Sequence, residues 1–539
     1  MTGEQYAMTS QTGRYAQPGS VELAEGWSMQ RLTPPSRLFG ANGIRTGPDG
    51  RIYVAQVSGS QISAIDVNSG VIETISPKGG EIVAPDDIVF DDKGNIFATE
   101  ITEGRVSVLA PNGQARVING DMPCANPITI YQGRLFAGEC RPDGRIMELD
   151  LHGGAPKVLL ENVPMPNAME VGPDGMLYFP VMGTNEIWRV SPEGGPHEVV
   201  AKDLGVPDAV KFDSEGFIVS TQVASGQVLR INPSTGEQTP LATIAPGLDN
   251  LTFVGNRLFV SSISGQINEI LADGKVQSLV PDGLNWPLGL AMNDNGVLFV
   301  ADGGFTYTLQ PGGTLQNAGM LFSPGFPGYT RGVVALGSDE YVVTTANGQV
   351  SRWSPAKQEH QVLADGFNQL YGIAIASGGT IFFAEQGTGR LLSVLDGAIE
   401  TLASNLNKPS GVAVSGTTCL VAEEGAGRVV KAAKGGTEIV LDGLQQPQGI
   451  LVRGDLLFVL DVGTKELIQY NMSTKSRRAI ATQLPIGAPP GVVPKFLDAI
   501  GVLSGPMGPF ADLTDDRDGT LYISADAEGS VLSLRPSIA

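Results

Sequence analysis

The chain contains 539 residues, and its 56 Asp and Glu against 35 Lys and Arg give a formal net charge of −21. A surface this acidic repels phosphate backbones and anionic membranes and attracts metal cations, so we expect neither a nucleic-acid nor a membrane partner. No apolar run is long enough for a transmembrane helix or for the core of a signal peptide, and we therefore expect a cytoplasmic protein.

Residues 1–35 are polar and are predicted to form an arm that precedes the repeated part of the chain. The repeats begin at Asn42 with "NGIRTGPDGRIYVAQVSGSQISAIDVNSGVIETI". Two β-rich segments flank a Pro-Asp-Gly turn in this stretch, and two more alternating segments follow. The pattern predicts one four-stranded antiparallel unit.

The same unit recurs along the whole chain with nearly constant spacing. In the first half, the residues that lead the first strands lie 44, 40, 41, 41 and 41 positions apart, at Asn42, Asp86, Asn126, Asn167, Asp208 and Asp249. Six further units are led by Leu288, Arg331, Tyr371, Ser410, Gln448 and Ala511. A period of roughly 40 residues with four strands per unit is typical of propeller blades, which usually number about four to eight in a ring.

Twelve units therefore predict an all-β protein of two tandem six-bladed β-propellers with four-stranded antiparallel blades. We assign residues 36–282 to the first propeller and residues 283–539, with two long insertions, to the second. A β-solenoid and a single twelve-bladed ring are alternatives, but solenoid repeats are usually shorter and less like hairpins. The last unit lacks a fourth strand, and the β-compatible segment 20–27 of the arm is predicted to supply it.

The first strand of each blade lines the central channel of a propeller, so its leading residues surround one mouth of that channel. In the first propeller all six are Asn or Asp, with Asn250 as an alternative to Asp249 in the sixth blade. Such side chains offer the oxygen ligands that a divalent cation prefers, with calcium first and zinc or magnesium as alternatives. The predicted metal ligands are Asn42, Asp86, Asn167, Asp208, Asp249 and Asn250.

A structural explanation of these residues also exists, because Asn and Asp cap turns with their own side chains. The second propeller serves as an internal control. Its matching positions hold Leu, Arg, Tyr, Ser, Gln and Ala, so the turn itself does not require Asn or Asp.

A second layer of polar residues ends the second strand of the blades. Here Glu100 and Glu139 are candidates for a general base, while Gln56, Gln222 and the nearby Asp87 are candidates for binding a substrate. The second propeller also has acids in this layer, at Asp302, Glu385, Glu423 and Asp461. A structural role, in which these acids bond backbone amides, therefore stays open.

The three cysteines form no zinc motif. A hairpin that turns at Gln132 and Gly133 would place Cys124 nearly opposite Cys140. A disulfide bridge between them is not expected in a reducing compartment.

The repeats "PNAMEVGPDGMLYF" and "PDAVKFDSEGFIVS" resemble those of the SMP-30/gluconolactonase/LRE family and its NHL-like propeller relatives. The resemblance implies a six-bladed propeller whose channel holds a divalent metal, usually calcium or zinc, and which hydrolyses lactones. It places Asn167 and Asp208 at metal-ligand positions, Asp208 also at that of the proton acceptor, and Asn126 near a substrate-orienting Asn. The family's first-blade Glu ligand is replaced by Asn42.

These patterns support two kinds of function. The first is a metal-dependent hydrolase of a lactone or related ester, in which the cation polarises the carbonyl and Asp208, Glu100 or Glu139 accepts a proton from water. A metal-dependent lyase is an enzyme alternative, since the same polarisation stabilises an enolate. The second kind is a non-catalytic binding or scaffold protein, because propellers host many unrelated roles.

Overall fold

The structure is a computed structural model that describes residues 14, 20–310, 312–416, 418–433, 436–489, 492–493, 495, 497 and 508–537. Within these residues the chain is all-β and contains no α-helix, only two single 3₁₀ turns, Met182–Thr184 and Glu424–Ala426. No helix in this part of the chain is long and apolar enough to cross a membrane.

The first propeller follows two short N-terminal strands, β1 (Glu22–Leu23) and β2 (Trp27–Arg31). Its six sheets each contain four antiparallel strands in chain order. The strands are β3 Ile44–Thr46, β4 Ile52–Gln56, β5 Gln61–Ile65 and β6 Ile72–Ser76; β7 Pro85–Phe90, β8 Ile96–Glu100, β9 Arg105–Leu109 and β10 Ala115–Asn119; β11 Ala125–Tyr131, β12 Arg134–Glu139, β13 Gly144–Leu149 and β14 Lys157–Val163; β15 Glu170–Val171, β16 Leu177–Val181, β17 Glu186–Val190 and β18 Glu198–Ala201; β19 Pro207–Phe212, β20 Ile218–Gln222, β21 Gln227–Ile231 and β22 Gln238–Thr243; β23 Leu248–Val254, β24 Arg257–Ser262, β25 Ile267–Ile270 and β26 Val276–Val280.

The second propeller repeats this arrangement from residue 290 onward, and its last sheet needs a strand from elsewhere. Its strands are β27 Leu290–Met292, β28 Leu298–Asp302, β29 Phe305–Leu309 and β30 Leu315–Met320; β31 Thr330–Ala335, β32 Tyr341–Thr345, β33 Val350–Ser354 and β34 Glu359–Ala364; β35 Leu370–Ile375, β36 Ile381–Glu385, β37 Arg390–Leu395 and β38 Ala398–Ala403; β39 Pro409–Ser415, β40 Thr418–Glu423, β41 Arg428–Ala433 and β42 Gly436–Leu441; β43 Pro447–Arg453, β44 Leu456–Asp461, β45 Glu466–Asn471 and β46 Arg477–Thr482; β47 Leu513–Asp515, β48 Leu521–Ala525 and β49 Ser530–Pro536.

Contacts between the innermost strands close two separate rings. In the first ring β3 contacts β7 on one side and β23 on the other, and in the second ring β27 contacts both β31 and β47. Buried apolar clusters fill the space between neighbouring blades around each ring. The predicted fold, two tandem six-bladed β-propellers, is confirmed.

The local sequence explains how each blade turns. In the first blade, the Asp49 carboxylate accepts a hydrogen bond from the Arg51 amide at 3.1 Å, and the Gly50 amide donates to the carbonyl oxygen of Gly47 at 3.0 Å. Gly50 has φ of 78°, a conformation that glycine adopts without strain. The Pro-Asp-Gly sequence therefore reverses the chain between the two inner strands of the blade.

The N-terminal strands close the second propeller rather than the first. Strand β2 is the fourth strand of the last blade and pairs antiparallel with β49, with Trp27 opposite Pro536. Strand β1 instead adds a fifth strand to the preceding blade by pairing with β46. A turn at Gly26, with φ of 80°, separates the two strands, so the closing strand follows residue 26 instead of spanning 20–27.

The two propellers also pack against each other. One buried cluster joins Phe39 and Val57 of the first propeller to Trp286 and Tyr329 of the second. Another joins apolar residues of blades four and five to the first blade of the second propeller. This contact covers the channel mouth of the first propeller.

Candidate functional site

A cavity of about 100 Å³ lies between the channel mouth of the first propeller and the first blade of the second. This volume is enough for several water molecules or a small ligand. The cavity has three parts, which we call the inner ring, the collar and the roof. Each part comes from a different position in the blades.

The inner ring consists of the residues that lead the first strands of blades one to six. All six line the cavity: Asn42, Asp86, Asn126, Asn167, Asp208 and Asp249. Each propeller strand that enters the channel begins at the same height, so equivalent residues of six blades converge on one axis. The predicted ring of Asn and Asp is therefore assembled by the fold.

Three carboxylates share this small space, and their electrostatics are unfavourable without a cation. Burial, and to a smaller extent the neighbouring Asp87, raises the pKa of Asp86 to about 8. Burial and the other inner-ring carboxylates also raise the pKa values of Asp208 and Asp249 well above their usual range. Like charges in a desolvated site favour either protonation or the binding of a positive ion.

Two of the three inner-ring asparagines support carboxylates instead of facing the cavity with their carbonyl oxygens. The Val57 amide donates to Asn42 Oδ1 at 3.1 Å, which directs Asn42 Nδ2 toward Asp249 Oδ2 at 3.2 Å. The Ala168 amide likewise donates to Asn167 Oδ1 at 2.8 Å, and Asn167 Nδ2 donates to Asp208 Oδ2 at 3.0 Å. In this arrangement both residues hold Asp side chains in place, rather than acting as the oxygen ligands that the sequence predicted.

Asn250 and Asp87 lie outside the cavity, which corrects two further predictions. The Asn250 side chain is buried and accepts a hydrogen bond from the Leu251 amide at 2.8 Å. The sixth inner-ring residue is accordingly Asp249. Asp87 also points away from the cavity, because its position follows that of Asp86 by one residue in a strand.

Below the inner ring, the channel is filled by paired charges. Arg45 contacts Glu170 at 2.8 Å and Asp87 at 3.9 Å, and Lys211 contacts Glu170 at 2.9 Å. Burial alone would raise the pKa of Glu170, but Lys211 and Arg45 lower it to about 2. Asp87 therefore belongs to an ion-pair layer in the channel and has no access to a substrate in the cavity.

Glu100 and Glu139 have a structural role in this arrangement. Glu100 is fully buried, accepts a hydrogen bond from the Val83 amide at 2.7 Å and pairs with Arg105 at 2.6 Å. Glu139 is also fully buried and pairs with Arg141 and Arg145. Neither carboxylate lines the cavity. Both acids were predicted as general bases, but both already pair with Arg side chains, and Glu100 also accepts a backbone hydrogen bond.

Gln56 and Gln222 serve the same structural purpose as Glu100. Gln56 Oε1 accepts a hydrogen bond from the Phe39 amide at 2.9 Å, and Gln222 Oε1 accepts one from the Gly205 amide at 3.0 Å. Each bond ties the end of the second strand to the segment that enters its blade. Neither side chain lines the cavity, so the predicted role in substrate binding does not fit their positions.

The collar is a ring of residues that the sequence reasoning missed. It is formed by the residue that directly follows the second strand in each blade. Five of these six residues are Val, Ile or Met, and the sixth is Cys. The collar consists of Val57, Ile101, Cys140, Met182, Val223 and Ile263. The signal was present in the alignment, one position after the polar residues that end the second strands.

Regular backbone pairing positions the collar. In blades two, three, five and six, the amide of the collar residue donates to a carbonyl just before the first strand, at 3.2 Å for Ile101 and 2.8 Å for Cys140 and Val223. The collar residues therefore sit beside the inner ring at the same mouth. Burial raises the pKa of the Cys140 thiol, and Cys124 and Cys140 are both free although their backbones are paired.

The roof comes entirely from the start of the second propeller. It consists of Asn285, Gly304, Phe305, Leu321, Phe322 and Tyr329. The Tyr329 hydroxyl lies 3.1 Å from Ser58 Oγ, which joins the two propellers at the edge of the cavity. Most of the roof side chains are apolar, so the cavity has a polar floor and apolar walls.

The inner ring offers donor atoms that suit a divalent cation. The carboxylates of Asp86, Asp208 and Asp249, with Asn126, offer the oxygen chemistry and the negative charge that such an ion prefers. In the described part of the chain, however, no three Asp, Glu, His or Cys side chains lie close enough together to bind one ion directly. The residues fit a cation in charge and chemistry, with water completing its contacts.

No family model matches the chain, and no curated protein matches it. Solved structures to which it is similar include gluconolactonases and streptogramin B lyases, in line with the sequence resemblance. A streptogramin B lyase is 20% identical with a TM-score of 0.38, and the match covers 52% of this chain and 96% of that one.

Two further structures are similar to the same degree. Virginiamycin B lyase from Staphylococcus aureus is 17% identical with a TM-score of 0.37, covering 51% of this chain and 96% of that one. A gluconolactonase from Xanthomonas campestris is 16% identical with a TM-score of 0.38, covering 46% of this chain and 96% of that one. Similarities this weak carry no argument about activity, so the function must be inferred from the site itself.

Proposed function

We propose that the protein is a metal-dependent hydrolase that opens a small lactone or related ester in the cavity between its two propellers. The observation that carries this proposal is the convergence of Asp86, Asp208 and Asp249 on one enclosed space. Their raised pKa values reflect burial and mutual repulsion, and no cationic side chain of the described residues offsets these effects. A bound cation would supply that compensation.

The residues that would hold the cation, directly or through bridging water molecules, are Asp86, Asp208 and Asp249, together with Asn126. When bound, a divalent cation, calcium first and zinc or magnesium as alternatives, polarises an ester carbonyl and acidifies a water molecule. Asn42 and Asn167 would keep Asp249 and Asp208 oriented through the hydrogen bonds described above. Loss of such orienting partners typically weakens metal binding by about 10- to 100-fold.

Asp208 is the residue we assign to proton transfer. Its carboxylate lines the cavity, so it would accept a proton from a water molecule held beside the cation and return it to the leaving oxygen. The collar and the roof would exclude bulk water from the reacting groups, which strengthens electrostatic interactions inside the cavity.

A second candidate function is a non-catalytic cation site that fastens the two propellers together. The observation that favours it is the composite cavity, since an ion bound there would lie between both propellers. A lyase that uses the same cation is distinguished from a hydrolase by its products, so the substrate panel should include esters that can eliminate.

Metal analysis and turnover measurements on one preparation test these functions. We expect about one divalent ion per chain, turnover of a lactone or ester, loss of turnover with a chelator and recovery when calcium, zinc or magnesium is restored. A tightly bound ion without turnover of any panel member would favour the non-catalytic site. Turnover that is indifferent to chelation, with no bound metal, would contradict both.

A further inference from the structure

We propose that the substrate of this cavity is a compact lactone with an alkyl body, and that the apolar collar selects it against polyhydroxylated sugar lactones. This inference rests on the proposed function for the chemical step. It goes beyond that function by naming the part of the substrate that does not react. It is carried by the division of the cavity into a polar floor and apolar walls.

The collar places one side chain from each blade around the inner ring. Val57, Ile101, Met182, Val223 and Ile263 offer hydrocarbon or thioether surface, and Cys140 offers a buried thiol. The roof adds Phe305, Leu321 and Phe322 from the second propeller. A ligand held at the inner ring is therefore surrounded by apolar groups on nearly every other side.

This arrangement discriminates strongly against hydroxyl groups. Each sugar hydroxyl that enters the collar loses its hydrogen bonds to water and finds few partners there, whereas an alkyl group loses none. Polar groups in the cavity are concentrated in the inner ring, where the carbonyl end of the ligand would bind, with Ser58, Asn285 and Tyr329 at the edge. The cavity volume of about 100 Å³ further limits the ligand to a compact body.

The second propeller shows that an apolar collar is not demanded by the fold. Its residues at the matching positions are Gly303, Ala346, Gln386, Glu424, Val462 and Asp526, a set that includes two acids and an amide. The apolar side chains of the first propeller thus accompany the acidic inner ring, and the two features occur together only at this mouth.

A matched pair of ligands tests the inference. δ-Hexanolactone has the same ring and the same number of carbons as D-glucono-δ-lactone but carries no hydroxyl group. Turnover of both lactones is measured with the metal-loaded protein, and binding of the corresponding δ-lactams, which resist ring opening, is measured by calorimetry. We expect the alkyl member to be favoured by roughly 100-fold in Kd and kcat/KM, a typical scale for an apolar pocket that meets an added hydroxyl group.

Two conservative variants connect the preference to the collar. Val223→Thr keeps the shape of the side chain and adds a hydroxyl to the collar, so the preference for the alkyl ligand should fall by about 10-fold. Val462→Thr makes the same change at the matching position of the second propeller, which does not line the cavity, and should leave the preference unchanged. Phe322→Ala, at a half-buried roof position, should weaken binding of the alkyl lactam without unfolding the protein.

The outcomes separate this inference from the proposed function. Tighter binding of the polyhydroxylated lactam would overturn the inference, while metal-dependent turnover of its lactone would leave the proposed function intact. Preferential binding of the alkyl lactam without turnover of either lactone would support the inference and overturn the proposed function. Binding of neither lactam, or equal effects of Val223→Thr and Val462→Thr, would overturn the inference.

Discussion

The two propellers share one architecture but differ at the residues that lead their first strands. In the first propeller these residues are Asn or Asp and line a common cavity. In the second propeller two of these residues bond to backbone groups of the neighbouring blade. Ser410 Oγ donates to the carbonyl oxygen of Pro447 at 3.0 Å, and Gln448 Oε1 accepts from the Ala511 amide at 2.8 Å. The blade therefore folds without acids at this place, and their presence in the first propeller points to binding.

The acids that end the second strands, in contrast, make the same contacts in both propellers. Glu100 in the first propeller accepts from the Val83 amide at 2.7 Å, and Glu423 in the second accepts from the Asn407 amide at 2.8 Å. An Arg five residues later pairs with each Glu, at 2.6 Å for Arg105 and 2.5 Å for Arg428. A feature that occurs in both propellers, with the same partners, belongs to the blade and not to a site.

The largest effect is expected from removing one inner-ring carboxylate. Asp208→Ala should lower metal affinity and lactone turnover together by more than about 100-fold, because loss of a ligand exceeds the usual effect of losing a residue that only orients one. Ser410→Ala, at the matching position of the second propeller, should change neither quantity. Isothermal titration with calcium and a steady-state assay measure both variants.

The same pair of variants distinguishes a site from a folding requirement. Without metal, Asp208→Ala should not lower the midpoint of urea unfolding, because it removes a carboxyl group whose ionised form burial and Asp86 already disfavour. Ser410→Ala should lower it slightly through its lost hydrogen bond to Pro447. Normal turnover and normal metal content in Asp208→Ala would remove Asp208 from the proposed mechanism.

The second largest effect concerns the pH dependence of stability. Burial and Asp87 raise the pKa of Asp86 from 3.8 to about 8. The folded state of the metal-free protein then binds a proton that the unfolded state has released, so stability should fall as pH rises from about 4 to about 8. Saturating calcium should remove most of this fall, since the cation binds the ionised carboxylates. Urea unfolding at several pH values, with and without calcium, measures this change in the free energy of unfolding.

Asp512 of the second propeller sharpens this comparison. Burial raises its pKa to about 7, although it does not line the acidic cavity and its carboxylate accepts backbone hydrogen bonds. Asp512→Asn should reduce the loss of stability between about pH 4 and pH 7 equally with and without calcium. Asp86→Asn should reduce it only in metal-free protein. A calcium effect on both variants alike would refute the assignment of the cation to the first propeller.

A third, smaller effect is expected at the strand-end acids. Glu100→Ala leaves the buried Val83 amide without its acceptor and should lower the free energy of unfolding by about 1–3 kcal/mol. Glu423→Ala should have an effect of the same size through the Asn407 amide. Calcium affinity should stay unchanged in both. A loss of turnover in Glu100→Ala alone, at normal stability, would restore Glu100 as a catalytic candidate.

The fold and the inner ring could be predicted from the sequence because both depend on one repeated register. Once the first strands are aligned, equivalent residues must converge on the channel, and Asp86, Asp208 and Asp249 do so. The alignment could not show how hydrogen bonds orient each of these side chains. The orientation of Asn42, for example, is decided by the amide of Val57, the residue that directly follows the second strand of the same blade.

Other features depended on contacts between distant parts of the chain. The roof residues Phe305 and Tyr329 belong to a different propeller, and no repeat pattern relates them to the inner ring. The closing strand was predicted at residues 20–27, but the turn at Gly26 shifts the pairing of the last blade to Trp27–Arg31. The repeat period predicts which residues of one propeller lie at equivalent positions. It does not predict the contacts between the two propellers, because these depend on packing between residues that no repeat relates.

The smallest expected effect lies at the hydrogen bond between the two propellers. The hydroxyls of Ser58 and Tyr329 are 3.1 Å apart and buried at the edge of the cavity. Tyr329→Phe and Ser58→Ala should each lower the free energy of unfolding by about 0.5–1.5 kcal/mol, and the double variant should show less than the sum because both remove the same bond. Tyr307→Phe, at a buried tyrosine of the first blade of the second propeller that stacks on Phe305, is the control and should not couple to Ser58→Ala. Additive effects of Ser58→Ala and Tyr329→Phe would mean that this bond does not connect the propellers energetically, and that other contacts, including apolar packing around Trp286 and the bond from Asn285 Nδ2 to the carbonyl oxygen of Ile263, hold the roof over the acids.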